Sequence, residues 1–135
     1  MVTPSRHERV QVPLKPDGSL VVGVVADTHS SPNASGLRHL AARKPDVILH
    51  GGDIGELSVL EELGRIAPVH AVRGNIDVRA SALPDVLTVE LTQGGVSQLR
   101  ILLLHIAVAG PRLRADAAKK ARAALSLTPP NAAGT

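Results

Sequence analysis

The chain has 135 residues and no cysteine, so it is predicted to form one domain in which a metal ion could be held only by oxygen and imidazole nitrogen. It contains no Phe, Tyr or Trp, and residues 20–111 carry a charge of −2 within a total of +3, which disfavours nucleic-acid binding. The sequence lacks a signal-peptide pattern and an apolar run of roughly 20 residues, which predicts a cytoplasmic protein with no membrane partner.

The predicted elements begin after an N-terminal segment that is rich in proline and lacks sustained periodicity. Residues 1–19 are therefore predicted to be a flexible extension. Residues 20–26 (LVVGVVA) are continuously apolar, which predicts a strand covered on both faces. Ser35 is predicted to cap a helix over residues 36–43, which Pro45 ends.

The next segments continue the alternation of strands and helices. Residues 46–50 (DVILH) predict a strand, the segment around 56–65 predicts a helix, and residues 68–73 (PVHAVR) predict a third strand. Crossover connections between such strands are right-handed and join parallel neighbours. The three strands should therefore place their carboxyl ends at one edge of a sheet.

A different pattern follows in the last third of the chain. Residues 87–91 alternate apolar and polar, a Gly-Gly pair marks a turn, and residues 99–104 (LRILLL) follow, which together predict a hairpin. Residues 113–125 predict a helix with one apolar stripe. We expect the folded domain to span residues 20–126 and residues 127–135 to form a flexible tail.

Polar side chains follow the predicted strands at their carboxyl ends. They are Asp27 and His29, then Asp53 after Gly51-Gly52, then Asn75 and Asp77 after Gly74, and finally His105. Asp27 and His29 are two residues apart, so in an extended backbone their side chains leave on the same side. His29 to Asp53 spans 24 residues and Asp53 to Asn75 spans 22. Each separation matches one helix plus one strand, so each polar group lies at the same position after its strand. This spacing predicts a shared metal site.

The segments VVADTHS, LHGGDIG, VRGNID and LLLHIAVAG, in this order, resemble the calcineurin-like metallophosphoesterases. The resemblance covers about residues 20–125 and is strongest to a branch of small bacterial and archaeal phosphodiesterases that also includes the scaffold subunit of retromer. It implies an α/β sandwich of two sheets with flanking helices. It also implies hydrolysis of a small phosphate ester, most directly a phosphodiester, by a metal-bound hydroxide.

The resemblance further implies a dinuclear site. Asp27 and His29 would bind the first cation, Asp53 would bridge both, and Asn75 and His105 would bind the second. Asp53 and Asn75 would also serve in catalysis. The implied cations are two Mn²⁺, with Zn²⁺, Fe and Ni²⁺ as alternatives, because the ligand types do not select among these metals.

The sequence departs from the family pattern in three places, at the C-terminal end, at Ile76 and at Ile106, which stands where a glycine often follows the metal histidine. No histidine follows His105, so the usual Gly-His-Thr/Ser-His segment is missing and the fold is predicted to be shortened at its C-terminus. This leaves open an alternative, a catalytically inactive protein-binding scaffold of the same fold. Ile76 stands where many relatives carry a histidine that assists the leaving group, so esters with good leaving groups should be favoured.

Three other polar residues near these motifs have two interpretations each. His50 is either a core residue or a support for the metal ligands. Arg73 and Arg79 either meet a substrate phosphate or are ordinary surface arginines. Asp77 is expected to orient the Asn75 loop by accepting backbone hydrogen bonds.

Overall fold

The computed structural model describes residues 6–31, 33–74, 76–77, 82–106, 108–109, 112–113 and 115–125. The strands are β1 (His7–Pro13), β2 (Val22–Val25), β3 (Val47–His50), β4 (Val69–Ala71), β5 (Val86–Gln93), β6 (Val96–Leu104), β7 (Val108–Ala109) and β8 (Arg112–Leu113). The helices are α1 (Ala34–Ala42), α2 (Ser58–Gly64) and α3 (Ala115–Leu125). The tail predicted for residues 127–135 lies outside the described residues.

The first sheet has the order β2-β3-β4, with both neighbouring pairs parallel. Val24 pairs with Leu49, and Leu49 pairs with His70. All residues of the central strand β3 are buried, as expected for a strand covered on both faces. The predicted parallel series is confirmed, and the three carboxyl ends lie at one edge of the sheet.

Helix α1 begins two residues earlier than predicted. The Asn33 side-chain oxygen accepts a hydrogen bond from the Gly36 amide at 3.0 Å, so Asn33 is the capping residue and Ser35 lies inside the helix. The prediction that Ser35 caps α1 was wrong because asparagine offers an equally good acceptor two residues earlier.

The second sheet has the order β1-β5-β6. Strands β5 and β6 are antiparallel, which confirms the predicted hairpin. Strand β1 pairs in parallel with β5, with Val10 opposite Val89 and Val12 opposite Leu91. The prediction of a flexible extension is therefore wrong for residues 7–13, where two alternating valines were too short a pattern to predict a strand.

The apolar core has two parts, one on each face of the β2-β3-β4 sheet. Val47, Leu49, Val72, Leu87 and Val89 fill the space between the two sheets. On the other face lie residues that pack the helices α1 and α2 against the sheet, namely Ile48, Ile54, Val59, Leu63, Leu37 and Leu40. Helix α3 packs against β6. The protein is thus an α/β sandwich of two sheets with flanking helices.

None of the helices in the described part of the chain is both long enough and apolar enough to traverse a bilayer.

Candidate metal centre

Two loops lie side by side at the carboxyl edge of the first sheet. One follows β2 and carries Asp27 and His29, and the other follows β3 and carries Asp53. Amides of the first loop donate to carbonyls of the second, Asp27 to Gly52 at 2.9 Å, His29 to Asp53 at 3.0 Å and Ser30 to Ile54 at 2.8 Å. These backbone bonds fix the two loops in register beyond the end of the regular strands.

The loops bring three potential ligands together. One ligand atom each from Asp27, His29 and Asp53 lies within 4.8 Å of the other two. The His29 Nε2 atom is 3.6 Å from Asp53 Oδ2 and 3.9 Å from Asp27 Oδ1. His105, at the end of β6, places its Nε2 atom 3.4 Å from the same Asp53 Oδ2. The structure therefore brings together four of the five predicted ligands, Asp53 and the three around it, while Asn75 lies outside the described residues.

Asp27 and His29 do not reach this arrangement through an extended backbone, as the sequence argument assumed. Their φ angles are 54° and 45°, and that of Asp53 is 54°, all in the left-handed region. This conformation costs a residue other than glycine about 1–2 kcal/mol, although Asp tolerates it better than most. The assumption was wrong because both residues lie past the end of β2, in a turn that bends toward Asp53. Strain of this kind persists only where surrounding contacts hold it.

The protonation of His105 tests whether the site suits a cation. Its Nδ1 atom lies 2.8 Å from the Gly51 carbonyl oxygen, which can only accept, so Nδ1 carries the proton. In a neutral imidazole this leaves the Nε2 lone pair facing the Asp53 carboxylate at 3.4 Å. A lone pair and a carboxylate repel each other unless a cation or a proton lies between them. The residues present thus fit a divalent cation both in donor type and in arrangement.

Gly74, after β4, allows the third loop to approach Asp53. A Cβ atom on Gly74 would lie 2.1 Å from the Asp53 backbone nitrogen and 2.2 Å from Asp53 Oδ1. Only hydrogen can occupy this space. Gly74, which precedes Asn75 in the sequence, thus marks a close backbone approach.

Asp77 ties the third loop to the second. Its side chain is buried and accepts hydrogen bonds from the amides of Gly74 at 2.8 Å, Ile54 at 3.1 Å and Gly55 at 3.1 Å. The neighbouring Ile76 amide donates to Asp53 Oδ1 at 3.1 Å. The expectation that Asp77 accepts backbone hydrogen bonds from its own loop is confirmed at Gly74. Asp77 also binds the loop of Asp53 through the amides of Ile54 and Gly55.

The Asp77 carboxylate makes stability depend on pH. Burial alone would raise its pKa, but the amide hydrogen bonds from Gly74, Gly55 and Ile54 outweigh burial and lower the pKa of Asp77 below its ordinary value. A lowered pKa in the folded state stabilises the fold above the unfolded-state pKa of about 3.9, and the contribution is lost as pH falls through the folded-state pKa.

We expect Asp77→Asn to lower the free energy of unfolding at pH 7 by about 1–3 kcal/mol, because its NH₂ group would face amide donors. The difference from the unaltered chain should shrink as pH falls from about 4 toward the lower pKa of folded Asp77, because the carboxylate of the unfolded chain becomes protonated first. Urea unfolding at pH 7 and at pH 3 measures both effects. An equal difference at the two pH values would contradict this role of the Asp77 charge.

His50, at the end of β3, lies beneath the ligands and is fully buried. Its Nδ1 atom accepts the Gly52 amide at 3.0 Å, and its Nε2 atom lies 3.0 Å from the Thr28 hydroxyl. Burial lowers the pKa of His50 below its ordinary value, which favours the neutral ring that this bonding needs. The sequence reasoning considered His50 but missed Thr28, whose position between Asp27 and His29 was the available signal.

Arg73 is occupied by an ion pair away from the candidate ligands. Its guanidinium donates to Asp85 Oδ1 and Oδ2 at 2.9–3.1 Å. This pairing favours a structural interpretation over contact with a substrate phosphate. Arg79 lies outside the described residues.

The sequence model of the Calcineurin-like phosphoesterase superfamily domain matches residues 20–128. The chain belongs to this superfamily. The family implies divalent metal ions, in agreement with the Asp27, His29 and Asp53 group.

Two curated members are similar in sequence. The chain is 39% identical over 61 residues to a "Probable metallophosphoesterase" of Methanothermobacter thermautotrophicus, covering 43% of this chain and 36% of that protein. It is 29% identical over 98 residues to a "Probable metallophosphoesterase" of Methanocaldococcus jannaschii, covering 70% of this chain and 47% of that protein. The chain thus spans less than half the length of these relatives.

Solved structures show the same fold. Vps29 from Chaetomium thermophilum matches with a TM-score of 0.58 and 22% identity, covering 76% of this chain and 56% of that one. A Vps29 single mutant from Entamoeba histolytica matches with a TM-score of 0.56 and 22% identity, covering 77% of this chain and 58% of that one. At this identity the likeness concerns the fold alone.

Proposed function

We propose that this member of the superfamily is a metal-dependent phosphoesterase that hydrolyses small phosphodiesters. The observation that carries the proposal is the convergence of His29 and His105 on one oxygen of Asp53, at 3.6 Å and 3.4 Å, from loops that are distant in the chain. The "Probable metallophosphoesterase" relatives support the same reaction class.

We assign Asp27 and His29 to one cation and His105, with Asn75, to a second, with Asp53 shared by both. Two divalent cations held by these residues would neutralise the charge of a phosphate and lower the pKa of a bound water. Mn²⁺ is the metal we propose, with Zn²⁺, Fe and Ni²⁺ as alternatives of the same ligand preference.

The chain's own groups orient the shared carboxylate. The Ile76 amide donates to Asp53 Oδ1 at 3.1 Å, which turns Oδ2 toward the two histidines. The Gly51 carbonyl fixes the His105 ring with its Nε2 lone pair toward that same oxygen. These bonds preorganise the donor atoms before a cation or a substrate arrives.

Hydrolysis of bis-p-nitrophenyl phosphate with added Mn²⁺ tests the proposal. We expect release of p-nitrophenol that depends on Mn²⁺ and stops with a chelator. The monoester p-nitrophenyl phosphate, measured in parallel, should react more slowly than the diester. No release above the buffer rate at millimolar Mn²⁺ would overturn the proposal.

Ile76 predicts a preference among leaving groups. Ile76 is 47% exposed and its backbone amide donates to Asp53, but its side chain cannot donate a proton to a departing oxygen. We expect Ile76→His to raise the rate about tenfold or more for a diester with an alkyl leaving group, and much less for a nitrophenyl leaving group. Rates for p-nitrophenyl and methyl esters in both proteins measure this contrast. An equal effect on both ester types would contradict a role for this position in leaving-group protonation.

A protein-binding scaffold without activity is a second candidate. The observation that favours it is the exposure of large apolar side chains on the loops at this edge, 49% for Leu57, 47% for Ile76 and 39% for Ile106. Isothermal titration with Mn²⁺ separates the two candidates. Binding at micromolar to submillimolar metal supports the enzyme, and no binding up to millimolar metal supports the scaffold.

A further inference from the structure

Beneath the ligand loops, four polar groups form a continuous chain of three hydrogen bonds. The Gly52 amide donates to His50 Nδ1 at 3.0 Å, so Nδ1 is unprotonated and the ring proton of the neutral imidazole lies on Nε2. Nε2 therefore donates to the Thr28 hydroxyl at 3.0 Å, and that hydroxyl donates to the Ile54 carbonyl at 2.9 Å. Donors and acceptors alternate along the chain without a conflict.

This series of hydrogen bonds connects the two loops at their strained residues. Thr28 lies between Asp27 and His29, whose left-handed φ angles are 54° and 45°. Gly52 and Ile54 flank Asp53, whose φ angle is 54°. The Thr28–His50 bond thus links the centre of one strained loop to the base of the other.

We infer that His50 and Thr28 are positioning residues, which hold Asp27 and His29 against Asp53 so that the three can share a cation. The inference rests on the proposed metal-dependent function, but it concerns cation affinity rather than turnover. His50 is fully buried, so it contacts neither substrate nor solvent and acts only through the loops that it joins.

Removal of the hydroxyl alone tests the link. We expect Thr28→Val to weaken Mn²⁺ binding, measured by isothermal titration, by about tenfold, the lower end of the range for partners that orient metal ligands. Thr28→Ser restores the hydroxyl and should restore the affinity. His50→Asn retains an acceptor for the Gly52 amide but loses the Thr28 contact, so it should match Thr28→Val. The double variant should lose no more than either single one.

The chain offers a matched control elsewhere. Thr88 is buried in β5, and its hydroxyl lies 2.8 Å from His7 Nε2, away from the ligands. Thr88→Val removes the same kind of threonine–histidine bond and should lower the melting temperature without changing Mn²⁺ affinity. If Thr88→Val weakened Mn²⁺ binding as much as Thr28→Val, the effect would be general destabilisation and the inference would be wrong.

A readout that does not depend on any variant is the His50 tautomer. Long-range ¹H–¹⁵N correlation spectra of the unaltered chain should show a neutral ring protonated at Nε2, and a ring protonated at Nδ1 would overturn the inference. Undiminished Mn²⁺ affinity in Thr28→Val would also overturn it. If Mn²⁺ binds but no ester is hydrolysed, the proposed function fails while the positioning role stands. If the unaltered chain binds no Mn²⁺, both fail.

Discussion

Replacement of Asp53 by asparagine is expected to weaken Mn²⁺ binding by at least about a hundredfold, because a direct ligand should matter at least as much as the partners that orient it. Both histidines face Asp53 Oδ2, at 3.6 Å and 3.4 Å, so one substitution removes the negative charge that the two proposed cations share. Hydrolysis of bis-p-nitrophenyl phosphate should fall to near the buffer rate. Isothermal titration and the p-nitrophenol assay measure the two losses.

The fold of the metal-free protein should survive this change. Asparagine at position 53 keeps a side-chain oxygen that can accept the Ile76 amide, so the melting temperature with a chelator present should change little. Asp17→Asn, which alters an exposed carboxylate in the segment between β1 and β2, is the matched control and should leave metal binding intact. Equal Mn²⁺ affinity in Asp53→Asn and Asp17→Asn would contradict the assignment of Asp53.

Gly74→Ala is expected to damage both the fold and the site. Its methyl group would lie 2.1 Å from the Asp53 backbone nitrogen, a contact that no rotation of a flexible side chain relieves. We expect the free energy of unfolding to fall by about 1–3 kcal/mol, as for other overpacked sites, and Mn²⁺ affinity to fall with it. Urea unfolding and Mn²⁺ titration measure the two effects.

Gly64→Ala provides the comparison for this change. Gly64 is the last residue of α2, and a Cβ atom there would meet no heavy atom within 4 Å. Alanine at this position should be neutral or stabilise the protein by up to about 1 kcal/mol, since alanine is the better helix former. If Gly74→Ala were as stable as Gly64→Ala, the close approach of the β4 loop to Asp53 would be contradicted.

Part of the convergence of ligands could be predicted from topology. Asp27 and Asp53 follow the parallel neighbours β2 and β3, which end at one edge of the first sheet. His105 follows β6, which is antiparallel to β5 in the second sheet, so this rule does not place it, and its role as a ligand was predicted from the resemblance to the family. The local geometry could not be predicted in the same way. The left-handed backbone at Asp27 and His29 results from hydrogen bonds to the carbonyls of residues 52–54, which are distant in sequence.

Strand β1 and the α1 cap show two further limits of local patterns. Only Val10 and Val12 mark β1 as apolar on one face, and its pairing partner β5 lies more than 70 residues further along the chain. At α1, both Asn33 and Ser35 satisfy capping preferences, and the turn geometry selects Asn33. Strand β1 forms because of tertiary contacts that are distant in sequence. The cap of α1 depends on which of two equivalent acceptors the turn selects.

An anomalous-scattering map from crystals grown with Mn²⁺ tests the central claim most directly. The account predicts two peaks within bonding distance of Asp53, one also bonded to Asp27 and His29 and the other to His105. Mn²⁺ bound elsewhere, or no peak at Asp53 in crystals that hold the metal, would contradict it.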